Sequence, residues 1–475
     1  MIQKRDLIRA LTICVFILSL IIPFFGQVPV NKATPDLEKD RGQLLAEIQA
    51  AQQIFNQDPQ NADKAFRLAS LDYQAGEFEK SLGLLRPLLE TSKPSNEALF
   101  LAADVDYLFG RYDEAEKTLQ KIVGLNPENL QVKVRAQTKL VFVYYQTNQY
   151  AKSADLFQGL EGKIKLPHWE MMRAFGEERP YQVVWPEGPE EAKAPFVVTD
   201  PLPMIAVEIQ GRQIFALIDT GADTFVLDNE IAASLGIKPI ASMMGTFAGG
   251  KQAEVGFSRA DSLKIGEVTL KSVPISILPT TRFSKGFAGG KYPIGGIVGT
   301  GILKQFLSTL DYKSGRLILD RPDIVPGKLA AEMKWKEVYD TPFVLAMTHF
   351  MMVWPGLLDD KTGLLFLVDS GLASEAAFTA PIQTLKYAGI PIPETKIREG
   401  AVGGGGGGFA TGQFPIKRLG IGSLVQENLK GEYGLNPPES YWRLGFINDG
   451  IISLRFLRRY VWTIDFSKMR MHFAT

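Results

Sequence analysis

A chain of 475 residues is too long for one compact core, so two or three domains are expected. Lys plus Arg balances Asp plus Glu at 52 each, with no basic run beyond the N-terminus, which leaves no electrostatic footprint for nucleic acid. The single Cys14 lies in an apolar N-terminal segment, and His168, His349 and His472 lack G-x-S-x-G or H-E-x-x-H contexts. Disulfides, a cysteine nucleophile and a zinc site are thereby excluded, no metal or other cofactor is expected, and each histidine reads as structural or superficial.

Residues 1–30 place Lys4, Arg5 and Arg9 before an apolar run from Ala10 to Phe25. That order is the layout of an export signal, and it predicts a chain whose domains lie outside the cytoplasm: periplasmic, secreted or membrane-anchored. The run is short for a membrane span, and Phe24 sits where a cleavage site needs a small residue. A signal peptide and an uncleaved anchor both remain open, and any membrane contact is expected through this segment alone.

Residues 40–162 carry a helical pattern with internal repeats. "LDYQAGEFEKSLGLL", "VDYLFGRYDEAEKTL" and "VYYQTNQYAKSADLF" align Gly76, Gly110 and Asn148, and then Phe78, Tyr112 and Tyr150. A helix pair with a small residue at its tight turn, an aromatic plug and a proline break resembles the tetratricopeptide unit, about three times over. Such arrays offer a surface to a protein partner or serve as spacers, and repeat identity alone favours neither. Residues 163–195 contain "WPEGPEEAKAP" and read as a linker.

After the linker the pattern turns to strands. "MIAVEIQGRQIFALIDTG" is two apolar runs about Gln210-Gly211, a hairpin that delivers Asp219 to a strand end. A D-[ST]-G triplet alone is common by chance, so context has to carry its meaning. The context is duplication. "LLFLVDSGLAS" repeats "IFALIDTGADT" and sets Asp369 at an offset of 150 residues from Asp219. Each half then shows a helix-like stretch, a glycine-rich segment, an "LKIG" or "LGIG" turn and a closing apolar unit. The closing units, residues 296–319 and 450–473, align without a gap.

These features, in this order, resemble a retropepsin-type aspartic protease, with lobe 1 over 196–325 and lobe 2 over 326–475. The expected architecture is multidomain, α followed by all-β: a helical repeat array, then a bilobal aspartic-protease-type β-barrel domain. The resemblance implies that Asp219 and Asp369 meet as a catalytic dyad, so that one chain is sufficient. It implies that Thr220 and Ser370 bond across the lobes, while Gly221 and Gly371 permit the tight loops. It also implies substrate contacts at Ala222 and Asp223, and glycine-rich flaps with Gly249 and Gly250 in one lobe and Gly405 and Gly406 in the other. The six-glycine run at 403–408 reads equally as a floppy linker.

Two carboxyls held a few Å apart share one proton, which suits hydrolysis of a peptide or protein substrate by an activated water. The expected activity is therefore aspartic endopeptidase, with the repeats docking a substrate or partner. The alternative is an inactive peptide-binding scaffold of the cell envelope. Lobe 2 departs further from the family pattern, with Leu372 after its triplet and Ser453 in place of a glycine. Thr300 stands where retroviral enzymes carry an arginine. Neither triplet is followed by a hydroxyl residue, and the loss of that donor predicts a pH optimum displaced toward neutral.

Overall fold

The computed structural model describes residues 39–475, apart from 189–190, 248–251, 282–283, 285–289, 324–337, 394–397, 403–407 and 435–437. The N-terminal segment 1–30, with Cys14, and Gly249, Gly250, Gly405 and Gly406 lie outside the described residues. Among the described residues no helix is long and apolar enough to cross a membrane.

Six helices come first: α1 (Arg41–Gln57), α2 (Ala62–Ala75), α3 (Phe78–Leu89), α4 (Asn96–Leu108), α5 (Tyr112–Leu125) and α6 (Leu130–Gln146). Short polar residues start them. Asp40 closes a capping box with Gln43, and Asn61, Ser95 and Asn129 accept from the first-turn amides of α2, α4 and α6. Each cap is worth about 1 kcal/mol. The three residues aligned in the repeats are left-handed turn positions, with φ of 84° at Gly76, 71° at Gly110 and 57° at Asn148. The third unit is shorter than its repeat suggests. After α6 the chain makes only a 3-10 turn at Tyr150–Ser153 before continuing irregularly.

Residues 163–195, expected as a linker, are largely folded onto the β-domain. They form α7 (Pro167–Arg173), β1 (Gln182–Val184) and the start of β2 (Glu191–Val198). Lobe 1 continues with β3 (Met204–Ile209), β4 (Arg212–Ile218), β5 (Phe225–Asp228), α8 (Asn229–Ser234), β6 (Ala241–Thr246), β7 (Gln252–Ile265), β8 (Val268–Leu278), β9 (Ile294–Val298), α9 (Thr300–Leu303), β10 (Leu307–Asp311) and β11 (Arg316–Asp320). Lobe 2 comprises β12 (Val338–Ala346), β13 (Phe350–Leu358), β14 (Lys361–Asp369), β15 (Phe378–Ala380), α10 (Ile382–Ala388), β16 (Arg398–Val402), β17 (Gly408–Ile421), β18 (Leu424–Tyr433), β19 (Gly450–Ser453), α11 (Leu454–Leu457), β20 (Val461–Asp465) and β21 (Arg470–Ala474).

The duplication read from the sequence is a duplication of topology. In lobe 1, β4 runs parallel to β9, β5 parallel to β8, and β5 antiparallel to β9. In lobe 2, β14, β15, β18 and β19 repeat those three pairings. On either side of the glycine-rich segments the chain pairs antiparallel, β6 with β7 in lobe 1 and β16 with β17 in lobe 2. A six-stranded antiparallel sheet, ordered β2-β11-β10-β20-β21-β12, joins the lobes. At its centre Thr309 pairs with Thr463, its own counterpart in the gap-free alignment, and their hydroxyls lie 2.7 Å apart. A residue paired with its own duplicate lies on the pseudo-two-fold axis, so the two lobes face each other across this sheet. The architecture is a helical region followed by an all-β domain containing the barrel of an aspartic-protease-type fold.

The helical region lies edge-on against this domain and meets it at each turn. A Cβ on Gly76 would stand 3.2 Å from Leu365, and one on Gly110 would stand 3.3 Å from Met469. Asn148 donates to the Gln305 side chain at 3.0 Å. Phe78, Leu82, Leu101 and Val105 share a buried apolar cluster with Val344, Leu365, Leu367 and Leu372 of lobe 2. Burial of each such side chain contributes about 1.5–3 kcal/mol. Arg41 is buried beside Asp449, donating from Nε to both carboxylate oxygens at 3.1 Å and from Nη1 to the Ala75 carbonyl.

Candidate active site

The hairpin β3–β4 turns through Gln210 and Gly211, both at positive φ, and aims β4 at the two-fold axis. Where β4 ends, Asp219 begins a tight loop, and its amide donates to the Val298 carbonyl of β9 at 3.0 Å. β14 delivers Asp369 in the same way, paired with Ser453 on β19. Each loop closes on its own carboxylate. Gly221 N–H donates to Asp219 Oδ1 at 2.7 Å, and Gly371 N–H donates to Asp369 Oδ1 at 2.8 Å.

The loops are locked reciprocally. Thr220 N–H donates to Ser370 Oγ at 3.0 Å, and Ser370 N–H donates to Thr220 Oγ1 at 3.0 Å. The hydroxyls then donate onward across the axis, Thr220 to the Val368 carbonyl at 3.2 Å and Ser370 to the Ile218 carbonyl at 3.3 Å. All four groups are buried, so a lost partner would leave an orphaned donor or acceptor at roughly 1–3 kcal/mol. The glycines are required by space. A Cβ on Gly371 would come within 2.1 Å of Asp219 Cγ, and one on Gly221 would come within 2.9 Å of Asp369 Oδ2. Each carboxyl therefore lies against the glycine of the other lobe's triplet.

Asp219 is 0% exposed and Asp369 1% exposed, and the two carboxyls lie close enough for each to shift the pKa of the other. Burial, and then the charge of Asp369, hold the Asp219 pKa well above the ordinary carboxylate range. Burial also pushes Asp369 up, to about 6, against the opposing hydrogen bonds from the Gly371 amide and Asp219. The pair titrates as a unit, its two protons leaving in separate steps.

The residues that follow the first triplet have partners of their own. Ala222 is buried, and its carbonyl accepts from the Thr300 amide at 2.9 Å. Thr300, at the position of the family arginine, uses its hydroxyl to donate to the Thr220 carbonyl at 3.0 Å. Asp223 is 6% exposed and faces the helical region. Tyr145 OH of α6 donates to Asp223 Oδ2 at 3.1 Å, and His168 Nε2 of α7 lies 3.5 Å from the same oxygen. Thr348 and His349, at the β12–β13 turn of lobe 2, also adjoin it. Burial raises the Asp223 pKa, but His168, His349 and Thr348 outweigh it and leave the group below the usual range. Burial pushes His349 down to about 4 and Lys304 down to about 8, in both cases against the pull of Asp223. Lys304 Nζ donates to the carbonyl and side chain of Gln146 on α6 at 2.8 and 2.6 Å.

The structure thus brings together Asp219, Thr220, Gly221, Asp369, Ser370 and Gly371. It seats Ala222 and Asp223 in the wall beside them. Tyr145, Thr348 and Lys304 escaped the sequence reading, which treats His168 and His349 as structural or superficial, without their shared carboxylate. They stand on four separate elements or turns, and no local spacing connects them. Among the described residues no group of three or more His, Cys, Asp or Glu side chains is placed to hold a metal ion.

Residues 205–302 match the sequence model of a family described as aspartyl protease. The matched stretch runs from β3 through the Asp219 loop, the β6–β7 hairpin and β9 into α9. A comparison with curated proteins finds no match.

Proposed function

We propose that this protein is an aspartic endopeptidase whose single chain supplies both halves of the catalytic dyad. The observation that carries the reading is the mutual Thr220–Ser370 lock, which holds two buried carboxyls against each other with their pKa values raised. Perturbed carboxyl pairs of this kind have little structural use and are characteristic of catalysis.

The chemistry follows from the asymmetry of the pair. Asp369, with the lower pKa, is the ionised member at neutral pH and accepts a proton from a water between the carboxyls. Asp219 is the protonated member and donates to the scissile carbonyl oxygen as the water oxygen bonds to the carbonyl carbon. In the resulting gem-diol Asp369 passes its proton to the amide nitrogen and Asp219 takes a proton back from a gem-diol hydroxyl as the C–N bond breaks, which releases the amine and the carboxylic acid and restores the single proton of the dyad. The hairpins β6–β7 and β16–β17 serve as the strands that cover an extended substrate. The basic-then-apolar segment at 1–30 supports an exported location, and the helix pairs support a tetratricopeptide-like role in substrate or partner docking.

The test is cleavage of a mixed peptide library from about pH 4 to about pH 9 by wild type, Asp219→Asn and Asp369→Asn. Each substitution is expected to lower the rate by roughly 10²–10⁴-fold, the contribution of one positioned acid or base. Peptides bound but never cleaved by wild type would make the protein a peptide-binding scaffold. Loss with Asp219→Asn alone would instead point to a homodimer built on lobe 1.

A further inference from the structure

The surroundings of the two catalytic loops are built differently. Under the protease reading, an extended substrate lies between the catalytic loops and the hairpins that cover them. Helix α7 touches both of those walls in lobe 1. It packs on β6 and β7, with the His168 ring 5.0 Å from Phe257, while His168 Nε2 reaches to 3.5 Å from Asp223 beside the catalytic loop. Tyr145 of α6 also reaches Asp223, through its hydroxyl. A segment that spans the catalytic loop and the hairpin stands where the substrate strand would leave the cleft.

This stopper is fixed. Phe142, Tyr145, Tyr150, Trp169, Phe175 and Phe257 are all buried in one apolar cluster with the core residues of lobe 1. Past α7 the chain is tied down again, with Tyr181 N–H donating to the Ser272 carbonyl at 3.1 Å and β1 pairing with β8. Glu178 binds Arg259 at 2.5 Å and also Ser272. A lid that opens is made of few buried contacts and exposed backbone bonds, and this segment has the reverse.

The pseudo-two-fold counterpart of Asp223 is Ala373, at the same offset as Asp369 from Asp219. Ser374 follows it, part-buried and bonded to Glu432, and then Glu375, whose side chain is 46% exposed. The acidic anchor that holds α6 and α7 in lobe 1 is therefore absent from lobe 2, and the chain beside it reaches solvent.

We infer that α6 and α7 wall off the lobe 1 end of the cleft, so that the enzyme takes substrates whose scissile bond lies close to a chain terminus. The inference rests on the protease reading and limits it to peptide ends, entered from the lobe 2 side.

A nested set of fluorogenic peptides of constant length, with one scissile pair moved a residue at a time from either end, tests this with the full-length protein. The expected result is a rate that falls at least about tenfold once the bond moves beyond a short stub from one particular terminus, with no such fall counted from the other. His168→Gly, which removes the side chain spanning the two walls, is expected to lengthen the tolerated stub. Should that variant fail to fold, the wild-type series alone decides. Equal cleavage of central and near-terminal bonds overturns the closed end and leaves the protease reading standing. Cleavage at no position by wild type overturns both.

Discussion

Lobe 1 and lobe 2 repeat the same strand pairings, yet only lobe 1 falls within the aspartyl protease family match. One difference lies where the helical region presses on lobe 2, and another lies within lobe 2 itself. Leu372, bulkier than Ala222 at the matching place, is fully buried in the apolar cluster shared with Phe78 and Leu101. Ser453 replaces Gly299, caps α11 by accepting from the Arg455 amide, and donates to the Ala376 carbonyl. In lobe 1 a Cβ at Gly299 would lie 2.2 Å from the Thr224 carbonyl, so no side chain fits there. Lobe 2 has thus drifted in sequence where a neighbour supplies new packing, while its loop geometry has stayed. Sequence divergence in a duplicated fold is a poor guide to loss of its site.

The sharpest way to break the equivalence is through the two triplet glycines. Gly371→Ala drives a methyl into Asp219 and is expected to cost about 100-fold or more in cleavage rate, since catalytic groups displaced by about 1 Å lose that much. Gly221→Ala, with its nearest approach at 2.9 Å, is expected to cost less. Equal losses in a side-by-side kinetic assay would contradict the asymmetry.

Next comes the fastening of the helical region to lobe 2. Arg41→Ala leaves Asp449 charged and buried, and is expected to lower the unfolding free energy by roughly 3–5 kcal/mol in a denaturant titration. A cost below about 1 kcal/mol would mean that the helices add little to lobe 2. Leu372→Ala restores the smaller residue of lobe 1. By the same titration it is expected to destabilise by roughly 2–5 kcal/mol while leaving turnover per folded molecule close to wild type. A gain in turnover would show that Leu372 had been limiting the dyad.

The smallest expected effect concerns the dyad's charge. The Asp369 pKa is raised to about 6 in the folded state, so folding favours its protonated form. The stability tied to that proton is fully present below the unfolded-state value and is lost as pH rises through about 6. Asp369→Asn removes this loss and is expected to stabilise the protein by on the order of 2–3 kcal/mol at neutral pH, an advantage that fades below about pH 4. Thermal denaturation across that range reads it directly. Wild-type cleavage should likewise decline as pH drops through about 6, where the dyad gains its second proton.

Much of this site was legible before any fold was known, because its essential parts are short and repeated. D-T-G and D-S-G, each after an apolar strand and before a glycine-rich segment, carry their geometry locally: a strand end, a tight loop and a hydroxyl beside a carboxyl. Gly76, Gly110 and Asn148 were legible as turns for the same reason. Residues 163–195 were not. Their proline and acidic content reads as linker, while α7, β1 and β2 are held by contacts with Phe257, β8 and β11, which lie far along the chain. His168 and His349 looked like isolated histidines because the carboxylate they share belongs to a third segment.

The sequence by itself determined the duplication, the two aspartates and the order of helices before strands, since these rest on local chemistry recurring at fixed offsets. Only the tertiary structure decided which faces the helices cover. It placed Asp223 against α6 and α7, and it gave Leu372 its reason. Such pairings are made between elements that share no sequence pattern. They are selected by shape and burial once the two-fold core has formed.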